Sequence, residues 1–105
     1  MFSIKQKLFP IYKYKIVGTS MSPTLSDSQV VLVNRFSYLF AKPELGDIVA
    51  CRDPRDGRVL IKRITKIVCG RYFVSGDNKK NSTDSRKFGM IGKANVLGKV
   101  INLLL

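Results

Sequence analysis

The sequence predicts an all-β fold, compact and barrel-like, with antiparallel strands and little helix. Short runs rich in Val, Ile and Tyr recur along the 105 residues, turn residues separate them at close intervals, and no stretch sustains a helical period. Hydrophobic residues make up 45% of the chain, enough for a modest core, and the length suits one domain better than two. Residues 1–105 are read as a single domain, with a basic N-terminal arm over 1–11 and no membrane anchor.

Each element follows in order. Tyr12, Tyr14 and Ile16 alternate with Lys13 and Lys15, the period of a strand with one wet face. Gly18 to Ser28 is turn-rich, and Val30 to Val33 is an apolar strand run. The aromatic stretch Phe36 to Phe40 is expected to pack inside, with an exposed contact patch as the alternative. Lys42 to Gly46, with Pro43, reads as a loop and Asp47 to Arg52 as a strand. In Asp53 to Gly57, Pro54 fixes φ and Gly57 tolerates positive φ, so a turn is predicted. Val59 to Val68 is the longest strand candidate, ending at Gly70, with Arg71 to Val74 as its hairpin return. Ser75 to Gly89 is polar and long for an idle connection. Val96 to Leu104 supplies the last strand.

Composition then narrows the chemistry. Nineteen Lys and Arg against seven Asp and Glu leave a net charge of +12, which implies attraction to nucleic acid, an anionic membrane face or an acidic partner, with a solvated basic surface as the favoured reading. The cations are spread along the chain and no base-stacking aromatic motif accompanies them, so nucleic acid is not the expected partner. No apolar run approaches the roughly 18 residues of a membrane span. Lys5, Lys7, Pro10, Lys13 and Lys15 interrupt any secretory core near the start. A soluble, cytoplasmic protein is expected, peripheral to the membrane at most. Cys51 and Cys69 lie in apolar runs without C-x-x-C spacing and are expected to be reduced, partly buried thiols. Histidine is absent, which excludes Ser-His-Asp and Cys-His mechanisms and imidazole-bound zinc. No metal or cofactor is expected.

A hydrolase without histidine can use a neutral lysine as general base. Only about one free lysine in a thousand is neutral at pH 7.5, so such a lysine has to be buried. Lys62 fits, because strand alternation puts it on one face with Leu60 and Ile64 while Ile61 and Arg63 face the other way. Lys66, further along the same face, is its rival. The turn segment Gly18-Thr-Ser-Met-Ser-Pro-Thr-Leu25 offers hydroxyls at Thr19, Ser20, Ser22 and Thr24, although it is not a G-x-S-x-G elbow.

GTSMSPTL resembles the nucleophile box of type I signal peptidases. GDIVACRDP (46–54), RVLIKRI (58–64) and GDNKKNSTDSRKFG (76–89) resemble the family's further blocks, in the same order. The resemblance implies the signal-peptidase/LexA-type catalytic core and a serine endopeptidase that removes an N-terminal leader. It implies Ser20 as nucleophile, Lys62 as its base and the Ser20 N–H as oxyanion donor. It makes Ser82 the hydroxyl that orients the lysine amine, Asp84 and Arg86 a supporting ion pair, and Asp77 a structural carboxylate. Ile16, Val17 and Gly18 with Leu60, Ile61 and Lys62 would form the edges that grip an extended peptide. Met21, Leu25 and Ile61 would line the pocket under the scissile bond.

Departures from the family pattern refine this reading. Gly18 stands where some relatives carry an oxyanion-donating hydroxyl, and only thirteen residues separate Lys62 from Gly76, leaving no room for a large inserted β-domain. The shortened pattern, with STDSR in its closing block, looks most like the small soluble proteases that mature nickel-type superoxide dismutase. That resemblance implies the dismutase precursor as substrate, with the nickel belonging to the substrate. A general leader peptidase at the membrane surface, a self-cleaving module and a non-enzymatic basic β-barrel binding nucleic acid are the alternatives.

Overall fold

The computed structural model describes residues 10–102; most of the expected basic arm and positions 103 and 104 of the expected last strand lie outside the described residues. Six strands form one sheet: β1 (Ile11–Lys15), β2 (Val30–Asn34), β3 (Ile48–Arg52), β4 (Val59–Val68), β5 (Arg71–Ser75) and β6 (Val96–Asn102). Their order is β1-β2-β6-β3-β4-β5 and every pairing is antiparallel. The all-β expectation holds. Among the described residues, helix is confined to α1 (Ser85–Phe88) and two single 3₁₀ turns at Lys79–Asn81 and Lys93–Asn95, so part of the long polar segment 75–89 is ordered into short turns.

The sheet curls. Tyr14 on β1 donates its phenol hydrogen to the Val59 carbonyl on β4, 3.2 Å away, although three strands separate β1 from β4 in the sheet order. The accumulated twist of a sheet brings such distant strands together. An inner core of Ile16, Met21, Leu25, Val31, Val33, Ile48, Ala50, Ile61 and Val100 fills the concave side. A second core on the opposite face gathers Tyr38, Val49, Cys51, Ile64, Tyr72, Val74, Ile91 and Val96. Alternate β3 residues feed each core, which is why I-V-A-C reads as an unbroken apolar run.

Three sequence expectations are corrected. Of Phe36 to Phe40, only Tyr38 is buried, its hydroxyl donating to Asp47 at 2.7 Å. Phe36, Leu39 and Phe40 are exposed, Phe40 to 90%; the segment is a tight turn, which cannot aim successive side chains at one core. Cys69 is exposed while Cys51 is buried. Cys69 (φ 49°) and Gly70 (φ 74°) form the two-residue β4–β5 turn with both φ positive, the pattern that suits a twisted hairpin. Finally, Lys66 loses its kinship with Lys62. A register shift between Ile64 and Lys66 leaves Thr65 as an extra residue, and Lys66 beyond it is exposed.

Candidate active site

Lys62 sits in the middle of β4, in register with Val49 of β3, and is only 3% exposed. Its Nζ lies 2.8 Å from Ser20 Oγ and 3.1 Å from Ser82 Oγ. Burial lowers the Lys62 pKa below its ordinary 10.5; the Asp84 carboxylate opposes this in part, and the Arg86 guanidinium adds to it. An amine pushed toward neutrality beside a hydroxyl is the arrangement a serine needs for activation without histidine.

Ser20 is carried on the turn between β1 and β2. Gly18, at φ 89°, opens the turn in a conformation that suits a residue without Cβ, and its N–H donates to Asp27 at 2.7 Å. Asn78 secures the same turn twice, its backbone N–H donating to the Ser20 carbonyl at 2.8 Å and its side-chain amide to the Thr19 carbonyl at 3.1 Å. Met21 and Leu25 anchor it in the inner core. The Ser20 backbone N–H has no protein acceptor among the described residues.

Ser82 donates to Asp84 at 2.8 Å. Because its one proton is committed there, its oxygen is left to accept from Lys62. Asp84 is fully buried. Burial alone would raise its pKa, but hydrogen bonds from Arg86, the Gly76 N–H and Ser82 hold the carboxyl at about 2. Arg86 reaches it through Nε at 3.0 Å and also donates to the Lys79 carbonyl at 2.8 Å, tying α1 to the loop before it. Asp77 accepts two 2.9 Å bonds from Arg63 and one from Thr24. It thereby links the Ser20 turn, β4 and the closing loop.

Gly76 is buried where these segments meet. A Cβ there would lie 2.2 Å from Ser82 Oγ and 2.6 Å from the Ser20 carbonyl oxygen, so no side chain fits without moving both. Gly76→Ala is expected to lower kcat by tens-fold or more and to destabilise by about 1–3 kcal/mol, as overpacking does. Steady-state kinetics and denaturant unfolding of the purified variant check this.

Beside Ser20 and Lys62 opens a groove of about 400 Å³, lined by Tyr14, Ile16, Val17, Met21, Arg58, Val59, Leu60 and Ile61. Five of the seven expected binding residues line it. Leu25 is completely buried beneath the turn, and Gly18 lies outside the lining. Tyr14 and Val59 were missed, although they share strand parity with Ile16 and Ile61. Arg58, Thr24, Arg63 and Asn78 were missed as well; Asn78 stands in the GDN run, and its two bonds to the Ser20 turn bridge nearly sixty residues.

The walls of the groove are strand edges without a neighbouring strand among the described residues, the Val59 carbonyl accepting only from the Tyr14 side chain. On β4, Arg58 and Ile64 turn their backbone groups toward the β3 side, so the intervening Val59 and Ile61 turn theirs into the groove. On the β1 side, Ile16 bonds back to Gln29 and Ser28, which leaves Val17 facing the opening. Both edges run toward Ser20 and Lys62. Among the described residues no set of His, Cys, Asp and Glu could hold a metal ion, and no helix is long and apolar enough to cross a membrane.

Comparison with known proteins agrees in kind. The family model "Signal peptidase, peptidase S26" matches residues 2–67 and 65–104; the two stretches overlap over 65–67, at the β4 bulge. Signal peptidase I V of Bacillus subtilis is 28% identical over 151 aligned positions that cover 95% of this chain and 89% of that protein. Since 95% of 105 residues is about 100, roughly fifty of those positions have no counterpart here. The mitochondrial ATP-independent inner membrane protease subunit 1a of Arabidopsis thaliana is 33% identical over 80% of this chain, and mitochondrial inner membrane protease subunit 1 of Homo sapiens is 30% identical over 79%. The aligned parts cover 64% and 63% of those two proteins, somewhat under two thirds of their lengths.

Proposed function

From the premise that the chain belongs to the signal peptidase family, peptidase S26, and is a serine endopeptidase, we propose that Ser20 and Lys62 form its catalytic dyad and that it removes N-terminal leaders from precursor proteins. The observation that carries this is the 2.8 Å approach of a buried lysine amine to the Ser20 hydroxyl. Neutral Lys62 accepts the Ser20 proton as Oγ attacks the scissile carbonyl, and the resulting ammonium protonates the departing amine. A water deprotonated by Lys62 then hydrolyses the acyl-Ser20 ester. Ser82, accepting from one amine hydrogen while donating to Asp84, leaves the lysine lone pair aimed at Ser20. The Ser20 N–H donates to the oxyanion; with glycine at 18, no side chain there adds to it. The leader lies extended between Val17 and the edge of β4, adding a strand to the sheet.

Within this class, the short span from Lys62 to Gly76 and the STDSR segment support the nickel-type superoxide dismutase precursor as substrate. The relatives' names support a general leader peptidase. Incubating the protein with that dismutase precursor and with an unrelated leader-bearing precursor, and reading the products by mass spectrometry, separates the two. The specific reading expects leader loss from the dismutase precursor alone; cleavage of neither precursor overturns both. The exposed Phe36, Leu39 and Phe40 on a chain of charge +12 support peripheral contact with an anionic membrane, through apolar insertion combined with charge.

The pH profile carries a sign. Only neutral Lys62 is active, so kcat/KM is expected to rise about tenfold per pH unit and to level off at the Lys62 pKa, below the ordinary lysine value. A profile measured from pH 5 to 11 with a fluorogenic peptide checks this; a limb that climbs only above about pH 10 rules out a buried base.

A further inference from the structure

Tyr14 bridges the groove at the end away from Ser20. Its hydroxyl holds the Val59 carbonyl, and Val59 and Ile61 are the β4 residues whose backbone groups face the opening. Its ring is partly buried against the inner core, so the phenol is anchored. We infer that Tyr14 is a stop that limits how much leader the enzyme grips, by occupying the edge carbonyl that the third residue before the scissile bond would use.

The register leads to that residue. A leader running with β4 toward the dyad places its last residue opposite Lys62, where its N–H donates to the Ile61 carbonyl. The residue two positions earlier lies opposite Leu60. Its carbonyl accepts from the Ile61 N–H, and its own N–H points at the Val59 carbonyl, in the spacing of parallel pairing. That carbonyl already accepts from the Tyr14 hydroxyl at 3.2 Å, so the leader N–H has to share the oxygen with the phenol standing beside it or displace it. Backbone recognition therefore ends at the third residue, and residues further upstream add little. A phenylalanine at position 14 keeps the ring and frees the carbonyl.

This inference rests on the leader lying in the groove as proposed above, and the test separates the two. Fluorogenic peptides carrying two to eight leader residues are compared in wild type and Tyr14→Phe. An ester replacing the amide removes the N–H of either the last or the third leader residue. Wild-type kcat/KM is expected to stop rising at three residues and to be insensitive to the ester at the third position. In Tyr14→Phe the preference for longer peptides grows about threefold to tenfold, the worth of one hydrogen bond, and the third-position ester becomes harmful. Equal sensitivity of both proteins to that ester overturns the stop. The last-residue ester reports on the groove itself. If it is harmless in both proteins, the leader does not pair with Ile61, and the groove reading falls with the stop.

Discussion

Ser20→Ala is expected to abolish peptide-bond cleavage, with kcat falling by about 10⁴-fold or more, the scale on which a covalent nucleophile matters. Its fold is expected to survive. The Ser20 backbone, rather than its side chain, holds the turn, through the bond from Asn78 to the Ser20 carbonyl. Met21 and Leu25 keep their places in the inner core. Stability is therefore expected to stay within about 1 kcal/mol of wild type, as for a substitution that leaves core and backbone bonds intact. Turnover by mass spectrometry and thermal unfolding of the same preparation check both halves. Residual cleavage at a tenth of the wild-type rate would show that another group attacks the substrate.

Lys62→Met is expected to be as inactive as Ser20→Ala and yet more stable than wild type. The fold lowers the lysine pKa, with burial as the main cause, so the folded state binds that proton more weakly than the unfolded chain does. Below the folded pKa the fold bears the whole cost of the buried ammonium. As pH rises from there to the unfolded value of 10.5, stability increases and the cost disappears. Methionine matches the stem and carries no charge. The loss of the bonds to Ser20 and Ser82 offsets part of the gain, leaving on the order of 1 kcal/mol, a few degrees in Tm near neutral pH. That gain is expected to shrink as pH approaches 10.5. Denaturant unfolding at pH 7 and pH 10 provides the check, and a variant less stable than wild type at both would show that the lysine is held at no cost.

The sequence makes β4 legible, and Lys62 with it. Its alternation sets Leu60, Lys62 and Ile64 on one face; Ile64 belongs to the second core and Leu60 packs against it. The strands were readable because turn residues bound each of them. The closure of β1 toward β4 was not, because it depends on twist accumulated over the intervening strands, which no local pattern records. The Thr24–Asp77–Arg63 cluster was hidden for a related reason: Thr24 and Asp77 are fifty-three residues apart. Gly76 looked like an ordinary loop glycine, and only the packing of Ser20 and Ser82 around it shows why a side chain is excluded. Phe36 to Phe40 misled because aromatic composition carries no information about exposure in a tight turn.

Unsatisfied strand borders beside Ser20 and Lys62 carry a colloidal hazard, since any extended chain, including a second molecule of the same protein, can add itself to them. Lys13 and Lys15 stand exposed along the β1 border, and two such cations repel a like-charged molecule approaching to zip alongside. The basic charge of this strand therefore opposes edge-to-edge pairing of two copies along that border.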